Sequence, residues 1–223
     1  MRSTKGEDTM NQYIARVVLV IVGMVVVLGT TGCMQVYEQA AKTAFEDRSN
    51  DDHILDAKID TGILSALADK DKSLLLDVKT DVWEQRVMLT GTLDDAKMKK
   101  DVVQLVQQSD PRIRKIHDEI QIVSKAEQEQ RREAAKNKDA SQKEGVGQAV
   151  NDFWIETKIN AQLLSTRGVT SVNYRWRSVR NVVYLIGRSR SKDELQTVLG
   201  VISKTEGVKE VKQFVEIKLV SKA

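Results

Sequence analysis

The 223-residue sequence contains one cysteine, one proline, two histidines and only 4% aromatic residues. A lone thiol cannot close an internal disulfide, so no disulfide framework holds this chain. Cys33, His53 and His117 are too few for a His/Cys metal cluster or a cysteine nucleophile with its partners. No G-x-S-x-G elbow or Walker loop is present, and Gly145-Val146-Gly147 sits in a polar stretch instead of following a strand. The adjacent pairs Asp51-Asp52 and Asp94-Asp95 point their side chains apart, which fits solvated helix starts and not an acid–base dyad. The composition argues against an enzyme, and no cofactor or metal is expected.

The chain also lacks a long apolar run near its start. Val17–Leu28 is apolar throughout but counts 12 residues, where a helix crossing the hydrocarbon needs about 20. Arg16 precedes it and Thr31-Gly32-Cys33 follows, the order of a secretory signal, so residues 1–32 read as a segment to be removed. Met10 is an alternative start. Small residues before a cysteine resemble the bacterial lipobox, with Thr30 where that motif usually has Leu. The resemblance implies an acylated, palmitate-bearing Cys33. Met34 after it, in place of Asp, implies the periplasmic face of the outer membrane. Residues 33–50 read as a tether.

From Asp51 the chain becomes periodic. Leu55, Ile59 and Ile63 form a helical stripe with Asp51 or Asp52 as N-cap, and Val78 to Leu89 forms a hairpin turning at Glu84-Gln85. Ala96–Val106 forms a second helix, stopped by Asp110-Pro111, and Ile113 to Ile122 supplies a last strand. The order then returns. At an offset of 100, Asp52, Leu55, Ile59 and Ile63 face Asp152, Ile155, Ile159 and Leu163; the strands match at offsets of 96 and 95. Residues 124–149 are too polar for a core and read as a linker or an exposed helix extension. The halves differ in charge. Residues 51–123 hold 11 Lys/Arg against 15 Asp/Glu, residues 150–223 hold 13 against 7, and the second half is thereby directed toward anionic partners.

The V-x-L-x-G strands (Val87, Leu89, Gly91; Val183, Leu185, Gly187) and the closing Gly207-Val208-x-x-Val211 resemble the BON family, bacterial OsmY and nodulation domains. The first copy has Arg112-Ile113 in place of Gly207-Val208. The resemblance implies an α+β fold of two tandem αββαβ sandwiches over 51–123 and 150–223, each a three-stranded mixed sheet with two helices on one face. It also implies phospholipid binding. Asn181 suits a left-handed turn and Gln85 does not, so the first hairpin is expected to use a different turn.

Two surfaces of the second repeat carry the functional expectations. With Ile155 at zero, about 100° per residue puts Phe153 near 160° and Trp154 near −100°, both off the buried stripe, where the first copy has His53 and Ile54. Phe153 and Trp154 beside Lys158 suit a membrane interface with anionic lipid; packing on the linker or first domain is the alternative. Arg180, Arg188 and Arg190 form a solvated basic edge or a lipid contact. If Tyr174 and Leu185 point inward, then Arg175, Arg177, Tyr184, Ile186 and Phe214 point outward, on a face too apolar to stay wet. Packing between the domains is the preferred reading of that face. The sequence thus leads to a non-catalytic envelope lipoprotein that binds anionic phospholipid and supports outer-membrane integrity. The alternative is a periplasmic protein–protein adaptor or stress-related holdase. An exported chain makes nucleic acid an unsuitable partner for the arginines.

Overall fold

The computed structural model describes residues 46–136 and 148–218. The signal segment, Cys33, nearly all of the tether and residues 137–147 of the linker lie outside the described residues. From Asp47 onward the chain forms one compact unit.

The first domain opens with α1, Asn50–Lys70. Its N-cap is Ser49, whose hydroxyl accepts the Asp52 N–H, so Asp51 and Asp52 sit two and three residues past the cap, in the first turn, where carboxylates favour the helix dipole. A single turn α2, Leu74–Asp77, leads into the antiparallel hairpin β1, Val78–Trp83, and β2, Arg86–Leu93. Helix α3, Ala96–Ser109, is capped by Asp95, ends before Pro111, and returns the chain to β3, Lys115–Ile122, parallel to β2. Ile59, Ile63 and Leu67 of α1 and Val102 and Val106 of α3 pack with Val87 and Leu89 of the sheet. This is a three-stranded mixed sheet, order β1-β2-β3, with its helices on one face.

After α4, Lys125–Lys136, the plan repeats: α5, Gln148–Ser165; β4, Tyr174–Val179; β5, Val182–Ser189; α6, Lys192–Lys204; β6, Glu210–Ile217. Its core joins Ile155, Ile159 and Leu163 to Tyr174, Val183, Leu185, Val198 and Ile202. The buried stripes Asp56-Ile59-Ile63-Leu67 and Asp152-Ile155-Ile159-Leu163 are therefore equivalent, at an offset of 96, not 100. Strands β4 and β5 keep that offset, and only the last connection is one residue shorter. An i, i+4 stripe matches itself after a slip of one turn, which is why apolar residues alone misplace the alignment. Phe153 and Trp154 thus correspond to Ala57 and Lys58.

Both hairpins use the same turn, contrary to the sequence expectation. Glu84 and Gln85 have φ of 48° and 61°, Arg180 and Asn181 of 54° and 67°. The left-handed region costs a non-glycine residue about 1–2 kcal/mol, and a buried carboxylate offsets it in each copy. Asp56 accepts the N–H groups of Glu84 and Gln85 at 2.6 and 2.8 Å; Asp152 accepts those of Arg180 and Asn181, both at 2.9 Å. Charge-assisted bonds of this kind are the strong ones.

The glycine of each V-x-L-x-G strand has a steric reason. A Cβ on Gly91 would lie 2.0 Å from the Asp77 carbonyl, and one on Gly187 2.2 Å from that of Asn173. Both also have positive φ, which glycine tolerates.

Candidate functional site

The outward sheet faces of the two domains meet. Trp83 and Met88 of the first domain form one buried cluster with Val179, Tyr184 and Ile186 of the second, with Phe214 packed against it. His117 stacks on Phe214 at 4.0 Å between ring centroids. Around this apolar centre the charges pair across the domains. Arg177 holds Asp81 with two prongs, and Arg86 donates to the carbonyls of Phe214 and Gly187 at 2.6 and 2.9 Å. Lys212 reaches Glu119 at 3.0 Å and Lys218 reaches Glu84 at 2.6 Å. The Arg175 guanidinium lies 5.2 Å from the Trp83 ring centre. Arg175, Arg177, Tyr184, Ile186 and Phe214 are thus brought together, and the partner that covers them is the other half of the same chain.

Burial pushes the Asp81 carboxyl up and Arg177 pulls it back. His117 is held down to about 4 by burial, then by Lys115 and Arg86, so at neutral pH its ring is uncharged against Phe214.

The second group of candidates disperses. Phe153 is 41% exposed, whereas Trp154 is half-buried, its ring edge-on to Phe153 at 5.8 Å. Trp154 therefore departs from the expected exposure: its indole nitrogen is shut away from solvent. Lys158 pairs on the surface with Glu206 at 2.7 Å. Arg180 pairs with Glu127 of α4 at 3.1 Å. Arg188 donates to the Asp47 carbonyl at 2.7 Å and lies 3.3 Å from Glu84; Arg190 holds the Asp47 carboxylate at 2.7 and 2.8 Å. The three arginines do not form one solvated edge. Carboxylates from other elements, remote in sequence, claim them.

Sequence reasoning missed Leu164, which is 66% exposed on α5. It follows Phe153 by 11 residues, so at about 100° per residue the two differ by only 20° around the helix. Periodicity pointed outward could have found the pair. The Asp47-Arg48 segment was also missed, because no periodic signal marks an irregular segment. Arg48 pairs with Asp56 at 2.7 Å and lies 4.1 Å from the Trp83 ring centre, while Asp47 bonds Asn173 and Arg190.

Among the described residues no group of three or more His, Cys, Asp or Glu is placed to hold a metal ion, and no helix is long and apolar enough to cross a membrane. The site is an arrangement for packing and surface contact, built on a duplicated α+β module. The BON domain model matches residues 55–124 and 151–218, and the chain belongs to the BON-domain family. Proteins of this family are generally non-catalytic and occur in the cell envelope and periplasm. The chain is 33% identical over 139 residues to a protein of Anaplasma centrale named "Uncharacterized protein in gshII 5'region", covering 61% of this chain and 79% of that one. Two structures of CdsD, a structural protein of the type III secretion system of Chlamydia trachomatis, align at 10% and 12% identity with TM-scores of 0.31 and 0.27. They cover 70% and 68% of this chain, and 94% and 96% of those chains.

Proposed function

We propose that this chain is a non-catalytic lipoprotein held by acylated Cys33 at the periplasmic face of the outer membrane, where its second BON domain binds anionic phospholipid and supports outer-membrane integrity. The observation that carries this reading is the outer face of α5, where Phe153 and Leu164 are 41% and 66% exposed on one side of the helix. Eleven residues at about 1.5 Å each separate them by roughly 16 Å, so a helix lying flat would insert both side chains together. Half-burying two such side chains contributes about 2 kcal/mol. The basic balance of residues 150–223 favours anionic headgroups.

One acyl chain gives only marginal membrane binding, so the several chains of a lipoprotein anchor account for attachment. The α5 face then selects lipid composition. A protein-binding adaptor would need the Tyr184 and Ile186 face open, and both residues are buried in the domain contact.

The test is co-sedimentation of the chain from residue 34 onward with phosphatidylcholine vesicles, with and without phosphatidylglycerol. Binding should require phosphatidylglycerol and fall at least tenfold in the Phe153→Ser, Leu164→Ser double variant. Equal binding to both vesicles, or an unaffected double variant, refutes the reading.

A further inference from the structure

Helix α1 leaves one apolar flank uncovered. Its core side carries Asp56, Ile59, Ile63 and Leu67, and Gly62 backs onto α3, where a Cβ would lie 3.9 Å from the Ser109 carbonyl. On the flank away from α3, Ile54, Ala57, Thr61, Leu64 and Ala68 recur at alternating steps of three and four, the spacing of a helix-packing seam. Ile54 is 55% and Leu64 40% exposed, Ala57 and Thr61 are exposed, and Ala68 is half-buried. The Thr61 hydroxyl donates back to the Ala57 carbonyl at 2.8 Å, so it needs no partner from a neighbouring surface.

We infer that this flank is a self-association surface, on which α1 pairs with α1 of a second copy of the chain, antiparallel and centred on Thr61. About that centre the sequence is self-complementary in size. Ile54 faces the partner's Ala68, Ala57 faces the partner's Leu64, and Thr61 faces its own counterpart. Each large side chain thus meets a small one, which lets the helices approach closely without voids. A parallel pairing would set Ile54 on Ile54 and Ala57 on Ala57, crowding one layer and leaving a gap in the next.

Charge chooses the same direction. A parallel pairing would bring the two first turns together, each with Asp51 and Asp52. The antiparallel pairing sets each first turn against Asp69-Lys70-Asp71-Lys72 of the partner, whose charges cancel. The contact is isologous, so it closes with two copies. The seam from Ile54 to Ala68 runs about 21 Å along the helix. Two helices touching over that length fall short of the roughly 1,200 Å² of a standard stable interface, so the dimer is of the weak, reversible class.

The chain from residue 34 onward has no cysteine, so single introduced cysteines report the register, a disulfide requiring Cα atoms within about 7 Å. The experiment is oxidation in a glutathione redox buffer, followed by electrophoresis without reductant. Thr61→Cys should form a covalent dimer at least tenfold faster than Gln107→Cys, an exposed site on α3. Ile54→Cys and Ala68→Cys should cross-link that fast only when the two variants are mixed. Rapid self-linking of Ile54→Cys overturns the antiparallel register, and rates equal to that of Gln107→Cys throughout overturn the dimer. Leu64→Glu, an exposed change that keeps Tm, should slow the Thr61→Cys reaction at least tenfold; an unchanged rate overturns the seam. Phe153→Ser with Leu164→Ser should leave that reaction unaltered, so this contact and the lipid reading stand or fall separately; a slowed reaction assigns the contact to α5 and overturns the proposal.

Discussion

Arg177 and Asp81 meet across the two sheets as a two-pronged ion pair, Nε to Oδ2 at 2.8 Å and Nη2 to Oδ1 at 3.0 Å. Asp81 is buried, whereas the arginine side chain remains 38% exposed. Removing the arginine strands a carboxylate, and removing both partners does not. Arg177→Met should therefore destabilise the chain by about 2 kcal/mol, below the value for a fully enclosed pair, and combining it with Asp81→Leu should recover most of it. Urea unfolding midpoints of the four members of this cycle measure the difference.

Asp56 carries the turn of the first hairpin as well as its pairing with Arg48. Asp56→Ala should cost about 2–4 kcal/mol, since two turn amides lose their acceptor. Gln85→Gly should instead stabilise by about 1 kcal/mol, because the glycine occupies φ of 61° without the Cβ penalty. Thermal unfolding of both variants tests opposite signs on one turn.

The two kinds of glycine should also separate. Gly91→Ala places a Cβ 2.0 Å from a backbone carbonyl and should prevent the native fold, whereas Gly200, in α6, has nothing within 4 Å of its Cβ position. Gly200→Ala should stabilise by about 1 kcal/mol. Soluble yield and circular dichroism distinguish them.

His117 gives the domain contact a pH dependence. Its folded value of about 4 lies below the ordinary 6.5, so the unfolded chain binds more protons between those limits. The stability it contributes is complete above about 6.5 and is lost as pH falls toward 4. Carboxylates titrate in the same window, so the comparison is with His117→Phe, which keeps an aromatic ring against Phe214. Tm should fall less steeply from pH 6.5 to 4 in that variant than in the parent.

The duplicated fold was legible because each apolar position serves a core that the residue itself helps to define: Val87, Leu89, Ile159 and Leu163 all point inward by period alone. What escaped depends on polar partners distant in sequence. A carboxylate inside an apolar stripe, Asp56 or Asp152, gives no periodic signal, yet it sets both turns. Those carboxylates also fix the repeat alignment that the isoleucines left one turn adrift. The destinations of Arg188 and Arg190 were hidden for the same reason: their shared partner, Asp47, lies more than 140 residues away.

That last contact has a mechanical consequence. Asp47 is bonded to Asn173, Arg188 and Arg190 in the second domain, and the next residue, Arg48, to Asp56 in the first. A pull on the chain ahead of Asp47 is shared at once between both domains through adjacent residues. The load therefore does not pass through the first domain to reach the second. Asn173, Arg188 and Arg190 on one side and Asp56 on the other take up that load together.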